Sequence, residues 1–408
     1  MTALAVSEAA PLWWERDDLC YAQGRLYFEG HDVADMAAGA EGPLYIYSIN
    51  RVETNIGRIL NALAQTGRSH RIYYAMKANR YAPLLKKLAQ SRLCGVDICS
   101  PNELDHALAC GFRAADMSFT GTAVSNRDLD RLLAHKSLTI NCDTISMIRR
   151  IGERARGREI GIRINPAIGT GYGNQKRLVY AGTHATKFGI YREQWREALA
   201  VAASYDLKIT SLHFHSGCGY LDAQLARWEA ALTAALSFSA GLSDLRTINI
   251  GGGLGLPHKS TDACLDLSRW ASIIRRHFKD LNVAVAVEPG GYIVKDAGML
   301  VLTVTDIEQK VGTRFAYVNG GFNLHPEPMF YNLPCEPVAC IRRDQAPSDW
   351  SKLTIAGNIN EAQDLWAEPA SMPPLLEGDY IALLNAGAYG ASMSSNHCMR
   401  GDFEEILI

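Results

Sequence analysis

Tyr74-Ala75-Met76-Lys77-Ala78-Asn79 ends an apolar, strand-like run on a lysine. Such an amine either snorkels to solvent or loses water, and desolvation lowers its pKa towards that of a usable nucleophile. Gly251-Gly252-Gly253-Leu254-Gly255 follows another apolar run. Consecutive glycines leave backbone N–H groups bare, able to curl around a phosphate or simply to make a tight turn. The spacing matches neither a dinucleotide fingerprint nor a Walker loop. His213-Phe214-His215 ends a third run, and strand alternation sends both imidazoles to one face. Without a third ligand at suitable spacing, a stacked or satisfied ring is favoured over a metal site. Glu288 leaves the apolar run 283–287, where a carboxylate needs a cation or N–H partner unless it sits in a surface turn. Tyr389 lies in Asn385-Ala386-Gly387-Ala388-Tyr389-Gly390, at the end of a β segment.

The elements that must position these residues alternate. Strand patterns at 44–47, 71–76, 95–99, 138–141, 159–164, 209–215, 247–250 and 284–287 are separated by helical patterns, which implies a parallel sheet. Seven or eight such units over about 250 residues fit an α/β chain with a (β/α)8 TIM-type barrel better than an open sheet. The expected barrel spans 42–295. Beyond it the pattern turns β-rich, so 296–408, with 1–41 added back, forms a C-terminal β domain. Four of the candidates then gather at strand ends of one barrel, where the active sites of that fold lie. A Schiff-base lysine, a phosphate cradle, a stacking ring and an acid for a pyridine nitrogen are what pyridoxal 5'-phosphate requires.

Composition narrows the function class. The 408 residues are 48% hydrophobic and 21% charged, an ordinary globular balance, with a formal net charge of −2. Without a basic block the chain is a poor partner for nucleic acid or anionic membrane. No run approaches the roughly 18 apolar residues of a membrane span. Residues 1–8 lack the basic start of a signal peptide. Ten scattered cysteines form no metal-type cluster and read as reduced thiols, so a cytoplasmic protein is expected.

The motifs together resemble the alanine-racemase-fold (fold type III) pyridoxal-phosphate decarboxylases, the diaminopimelate and ornithine decarboxylase family. The resemblance runs in order over nearly the whole chain: YAMKAN around Lys77, Val96-Asp97-Ile98-Cys99-Ser100-Pro101-Asn102-Glu103-Leu104, Lys187-Phe188-Gly189, the paired histidines, the glycine triplet, Glu288-Pro289-Gly290 and the segment from Ser395 to Ile408. It implies that Lys77 bonds the cofactor, with Asp97 in the same pocket. His215 would stack on the ring, and Gly251, Gly252 and Gly253 would take the phosphate with help from Tyr389. Glu288 would pair with the pyridine nitrogen, which strengthens the electron sink and favours decarboxylation over racemisation. It also implies a homodimer with shared active sites, in which 357–364 completes the partner's site.

The departures carry information too. Gly291 stands where relatives have an arginine that contacts phosphate or substrate, and Cys218 where they have a phosphate-binding serine. Glu327-Pro328-Met329-Phe330-Tyr331 aligns with an Arg-containing stretch, so an acid replaces the cation expected for a distal carboxylate. Asn360 replaces the cysteine that protonates the product, while Glu361 is retained as a substrate contact or proton relay. The expected small-molecule substrate is an amino acid or amino-acid conjugate other than diaminopimelate, of siderophore or other secondary-metabolite type, contacted by Glu327, Tyr331, Asn360, Glu361 and Tyr389. A racemase or epimerase, and a silent cofactor-binding homologue, are the competing expectations.

Overall fold

The computed structural model describes residues 12–182, 185–342 and 350–408, so the N-terminal octapeptide lies outside the described residues. The chain divides into two compact units: 1–52 with 257–262 and 294–408, and 53–256 with 263–293.

The second unit is a closed barrel of eight parallel strands. In chain order they are β1 (His70–Ala75), β2 (Gly95–Ile98), β3 (Met117–Phe119), β4 (Thr139–Cys142), β5 (Glu159–Arg163), β6 (Lys208–His213), β7 (Thr247–Asn249) and β8 (Ala284–Val287). Each pairs with the next, β8 pairs with β1, and no edge is left. Burial on both faces explains why these strands read as apolar runs rather than as alternating patterns. Several helices outside the barrel start on side-chain caps. Ser100 accepts from the Glu103 N–H at 3.1 Å, and the Glu103 carboxylate reaches back to the Cys99 N–H at 2.6 Å. That reciprocal cap is the structural content of the Ser100/Glu103 spacing. Thr144 and Asp266 cap helices Ile145–Arg154 and Leu267–Phe278 by accepting first-turn N–H groups, without a returning side chain.

The first unit is built on β-sheet. Its main sheet runs in the order Pro337–Ala339, Tyr380–Leu383, Gly298–Lys310, Thr313–Val318, Ser351–Ala356, Leu365–Met372, with Leu44–Tyr47 and Glu404–Leu407 joined to it. A short antiparallel meander, Leu19–Ala22, Arg25–Phe28 and His31–Asp32, adds Leu26 and Phe28 to a core shared with Leu44, Ile46, Met299, Val301 and Ala382. The N-terminal piece thus completes a core that the C-terminal segment begins.

One strand departs from the sequence boundary at 42. Leu44–Tyr47 counts as the first barrel strand by pattern, yet it pairs with Gly298–Val301 and Glu404–Leu407. All four of its residues are buried, so its pattern is that of any central strand. The eighth barrel strand is instead β3, whose three residues are too few to show a period. Phe119 in β3 is fully buried. Phe119→Ala should therefore destabilise the protein by about 3–5 kcal/mol, read by urea denaturation followed by circular dichroism. A loss of under about 0.5 kcal/mol would mean that β3 is dispensable.

Candidate active site

Polar side chains interrupt the apolar barrel strands at their C-terminal ends, and they converge. Lys77 lies in the one-turn helix Met76–Ala78 directly after β1, exposed between buried Met76 and Ala78. Asp97 in β2 is buried, and its Oδ1 has no hydrogen-bond partner among the described residues. Burial first, and then the Glu288 charge, push the Asp97 carboxyl well above the usual range, while Lys77 opposes both.

Glu288, just after β8, is 8% exposed and takes three donors. His213 Nε2 lies 2.7 Å from its Oε2, Asn249 Nδ2 2.6 Å from its Oε1, and Ser118 Oγ 3.2 Å from its Oε1. Burial alone would raise this carboxyl. The His213 charge and hydrogen bond, the Asn249 amide and the Lys77 charge outweigh burial and bring it to about 2. Behind it, Asn141 Nδ2 donates to Ser118 Oγ at 3.0 Å and to Thr120 Oγ1 at 2.9 Å. Ser118 accepts there and so turns its own proton to Glu288. Asn249 also accepts the Gly251 N–H at 3.0 Å, and the Glu288 N–H donates to the Gly251 carbonyl at 2.9 Å, tying the carboxylate to the glycine turn.

Glycine is required in that turn. Gly251 (φ +70°) and Gly253 (φ +90°) adopt left-handed backbone, and a Cβ on Gly252 would collide with the Glu288 carbonyl oxygen. The Gly251 N–H serves Asn249 and the Gly252 N–H serves His215 Nδ1 at 3.3 Å. The Gly253 N–H has no bond of this kind among the described residues. His215 is half-buried, with the Tyr180 ring edge-on at 5.0 Å and Cys218 Sγ at 3.6 Å from Nε2. Burial, Lys77, Arg163 and His213 hold its pKa well below the usual imidazole value, so the ring is neutral near pH 7.

The Lys187-Phe188-Gly189 element supports this layer. The Asp143 carboxylate takes the Gly189 N–H at 3.0 Å and pairs with Arg163 at 3.2 Å, and the Arg163 guanidinium sits over the Phe188 ring at 4.5 Å.

The other candidates belong to the β unit. Glu327 is buried on the short helix Glu327–Tyr331, and Tyr331 is half-buried at its end. Glu327 is not the lone acid expected from its replacement of an arginine, because Lys295 Nζ pairs with it at 2.8 Å and both are buried. His258 and His325 are buried too, held well below the usual imidazole range by burial and then by the Lys295 charge. Tyr389 is half-buried with left-handed backbone (φ +56°), uncommon for a side chain of that size. Asn360 and Glu361 are exposed on a loop held by Asp364, which accepts the N–H groups of Phe322 and Ile359 at 2.7 Å each. His397 Nε2 lies 3.6 Å from Glu361 Oε1.

Sequence reasoning missed Ser118, Asn141, Arg163 and Asn249 in the barrel and Lys295 in the β unit. A signal existed for Asn141, Arg163 and Asn249, each a polar residue near the C-terminal end of an apolar strand, whereas Ser118 sits in the short strand that the pattern does not show. A neutral ring, an ionised carboxylate, an exposed amine and a glycine turn are the donor set that a flat, phosphorylated, pyridine-type cofactor needs, and the unpartnered Asp97 Oδ1 offers it one further acceptor.

Comparison with known proteins agrees. Residues 50–295 match the family described as pyridoxal-dependent decarboxylase, pyridoxal binding domain. A diaminopimelate decarboxylase of Methanothermobacter thermautotrophicus is 31% identical over 397 residues, covering 95% of this chain and 91% of that protein. One from Streptomyces coelicolor is 30% identical, covering 93% and 87%. The crystal structure of the Helicobacter pylori diaminopimelate decarboxylase I148L mutant, complexed with L-lysine, superposes with a TM-score of 0.82 at 27% identity, covering 92% of this chain and 93% of that one. The chain belongs to the pyridoxal-dependent decarboxylases, a carboxy-lyase of the TIM-barrel type whose cofactor is pyridoxal phosphate.

Proposed function

We propose that this enzyme removes the α-carboxylate of an amino acid or amino-acid conjugate other than diaminopimelate, a precursor of siderophore or other secondary-metabolite type. The observation that carries the decarboxylase chemistry to these residues is the ionised, triply hydrogen-bonded Glu288. Pyridoxal phosphate, when bound, supplies a ring that accepts the electrons released as CO₂ leaves. Glu288 holds a proton at the ring nitrogen, and His213, Asn249 and Ser118 hold Glu288. An anion in that place opposes racemisation, and the relatives matched above are decarboxylases. Lys77 carries the cofactor, neutral His215 covers one ring face, and the Asp97 carboxyl lies within electrostatic reach of the Lys77 amine. The Gly253 N–H, in a turn that Gly251 and Gly252 keep clear of side chains, and Cys218 receive the phosphate.

For the substrate, Gly291 and Glu327 remove two arginines that would hold a distal carboxylate. Lys295 closes the charge of Glu327, so the pair presents a neutral, polar surface rather than a selector for ammonium. Tyr331, Asn360 and Glu361 complete the proposed contacts. The solvent-facing loop carrying Asn360 and Glu361, tied down by Asp364, supports a homodimer in which each loop finishes the partner's site. All ten cysteines are outside disulfides, and among the described residues no helix is long and apolar enough to cross a membrane, which supports a cytoplasmic enzyme.

Substrate choice is tested by CO₂ release with mass-spectrometric product detection on cofactor-loaded protein. The panel holds diaminopimelate, lysine, ornithine, arginine, 2,3-diaminopropionate and citrate-conjugated diamino acids. Release from a conjugate or another amino acid of the panel, with none from diaminopimelate, is expected; brisk release from diaminopimelate would overturn the substrate reading. The shared site is tested by mixing Lys77→Ala with Glu361→Gln, each inactive alone. The mixture should regain up to about a quarter of wild-type activity, since under random exchange half of the dimers are heterodimers and one of their two sites carries neither change. No rescue under verified subunit exchange would sink the shared site.

Glu288→Gln should lower kcat by about 10²–10³-fold, the usual cost of removing one preorganised electrostatic partner. It should also change acid stability. The folded value of about 2 lies below the ordinary 4.5, so the wild-type contribution is complete above pH 4.5 and is lost as pH falls towards 2. Denaturant midpoints across that window should fall more steeply for wild type than for the variant; parallel curves would mean that the carboxylate is not held ionised.

A further inference from the structure

Seven of the ten cysteines have thiols that burial makes less reactive; Cys94, Cys99, Cys142 and Cys335 are pushed up to about 12. Cys218 differs by its surroundings. It lies in the turn after β6, half-buried, with Sγ 3.6 Å from His215 Nε2. The Gly252 N–H points at His215 Nδ1, so the one proton of the neutral ring must sit on Nε2 and face the sulfur. An N–H donor aimed at sulfur favours the thiolate over the thiol. The backbone cannot carry the sulfur away: the Cys218 N–H donates to Leu178 O and its carbonyl accepts from the Tyr172 N–H, both at 2.9 Å. The preceding Gly217 has φ +149°, and a Cβ there would collide with the Thr170 carbonyl. A second feature of the turn points to a polar ligand: the Oγ of Ser216, 1% exposed, has no hydrogen-bond partner among the described residues.

We propose that Cys218 is a thiol modification site, activated by His215 and shielded by the cofactor, so that peroxides and other small electrophiles reach it only when pyridoxal phosphate has left. This rests on the reading that the turn at 215–218, with the glycine turn, receives the phosphate. In the peroxide reaction the sulfur attacks one oxygen. An S–O bond forms, the O–O bond breaks, sulfur is oxidised by two electrons, and the departing hydroxide takes the thiol proton and leaves as water. The product is a sulfenic acid, which thiol reductants reverse. Its added oxygen stands where the phosphate must sit, so an oxidised chain does not reload cofactor until it is reduced.

The test follows iodoacetamide labelling by peptide mass spectrometry, on the full chain stripped of cofactor and on the same chain reloaded with pyridoxal phosphate. In the stripped chain Cys218 should label at least about tenfold faster than Cys264, although Cys264 is the more exposed thiol. Reloading should slow Cys218 at least about tenfold and leave Cys264 unchanged. His215→Phe, shown to be folded by circular dichroism, should abolish the advantage of Cys218 in the stripped chain. Peroxide followed by dimedone should place the adduct on Cys218 and block reloading until dithiothreitol is added. Equal rates for the two thiols in the stripped chain, or a Cys218 rate indifferent to cofactor, would overturn the proposal. Borohydride fixation of cofactor on Lys77 separates the failures: no fixation defeats the cofactor assignment to Lys77, while the stripped-chain rates judge the thiol independently.

Discussion

An ionised carboxylate at the end of a strand that is buried on both faces has to be solvated by the protein itself, since its desolvation would otherwise cost several kcal/mol or force it to take a proton. Glu288 meets that condition with an imidazole from β6, an amide from β7 and a hydroxyl from β3, three strands spread around the barrel. The closure of the barrel is therefore not only a way to remove sheet edges. It brings donors from distant parts of the chain to one carboxylate, and β3, β6, β7 and β8 must keep their register for the charge to persist. Ser118 donates to Glu288 because Asn141 on β4 supplies its other bond, which adds a fifth strand to the same requirement.

The glycine turn follows from that carboxylate. Asn249 divides its amide between Glu288 and the Gly251 N–H, and Gly252 passes so near the Glu288 carbonyl that no side chain fits. The Gly252 N–H then meets His215, which fixes the ring tautomer and directs the remaining ring proton to Cys218. Ionised acid, bare turn and neutral ring are thus one connected unit. A change in any of them is expected to propagate to the others, as non-additivity among neighbours requires.

What the sequence displays of this follows from distance along the chain. Lys77, His215, Gly251–Gly253 and Glu288 are visible because each ends an apolar run, and the barrel is visible because runs and helices alternate. Leu44–Tyr47 and Met117–Phe119 show the limit of that signal. Four buried residues look alike in a barrel or a sheet, and three residues hold no period. Asn141 and Asn249 were legible only as polar residues in apolar strands and Ser118 not at all, and the network that joins them to Glu288 appears once the strands are placed. Lys295 and Glu327 are 32 residues apart, so nothing local announces that they pair.

That pair bears on how departures from the family pattern should be weighed. An acid in place of an arginine, taken alone, reverses the charge of a pocket wall. With Lys295 beside it the reversal disappears, because a buried acid without a partner would cost far more than a compensated pair. Burial, and then the same lysine, hold the imidazoles of His258 and His325 neutral. Asn360 has no such compensation on its own loop beyond Glu361, and Glu361 has His397 within 3.6 Å. The substitution at 327 is thus absorbed inside the β unit, whereas the one at 360 alters what an exposed loop can donate. Of the two, only the residue at 360 is exposed, so only there does the substitution change the groups that the surface offers.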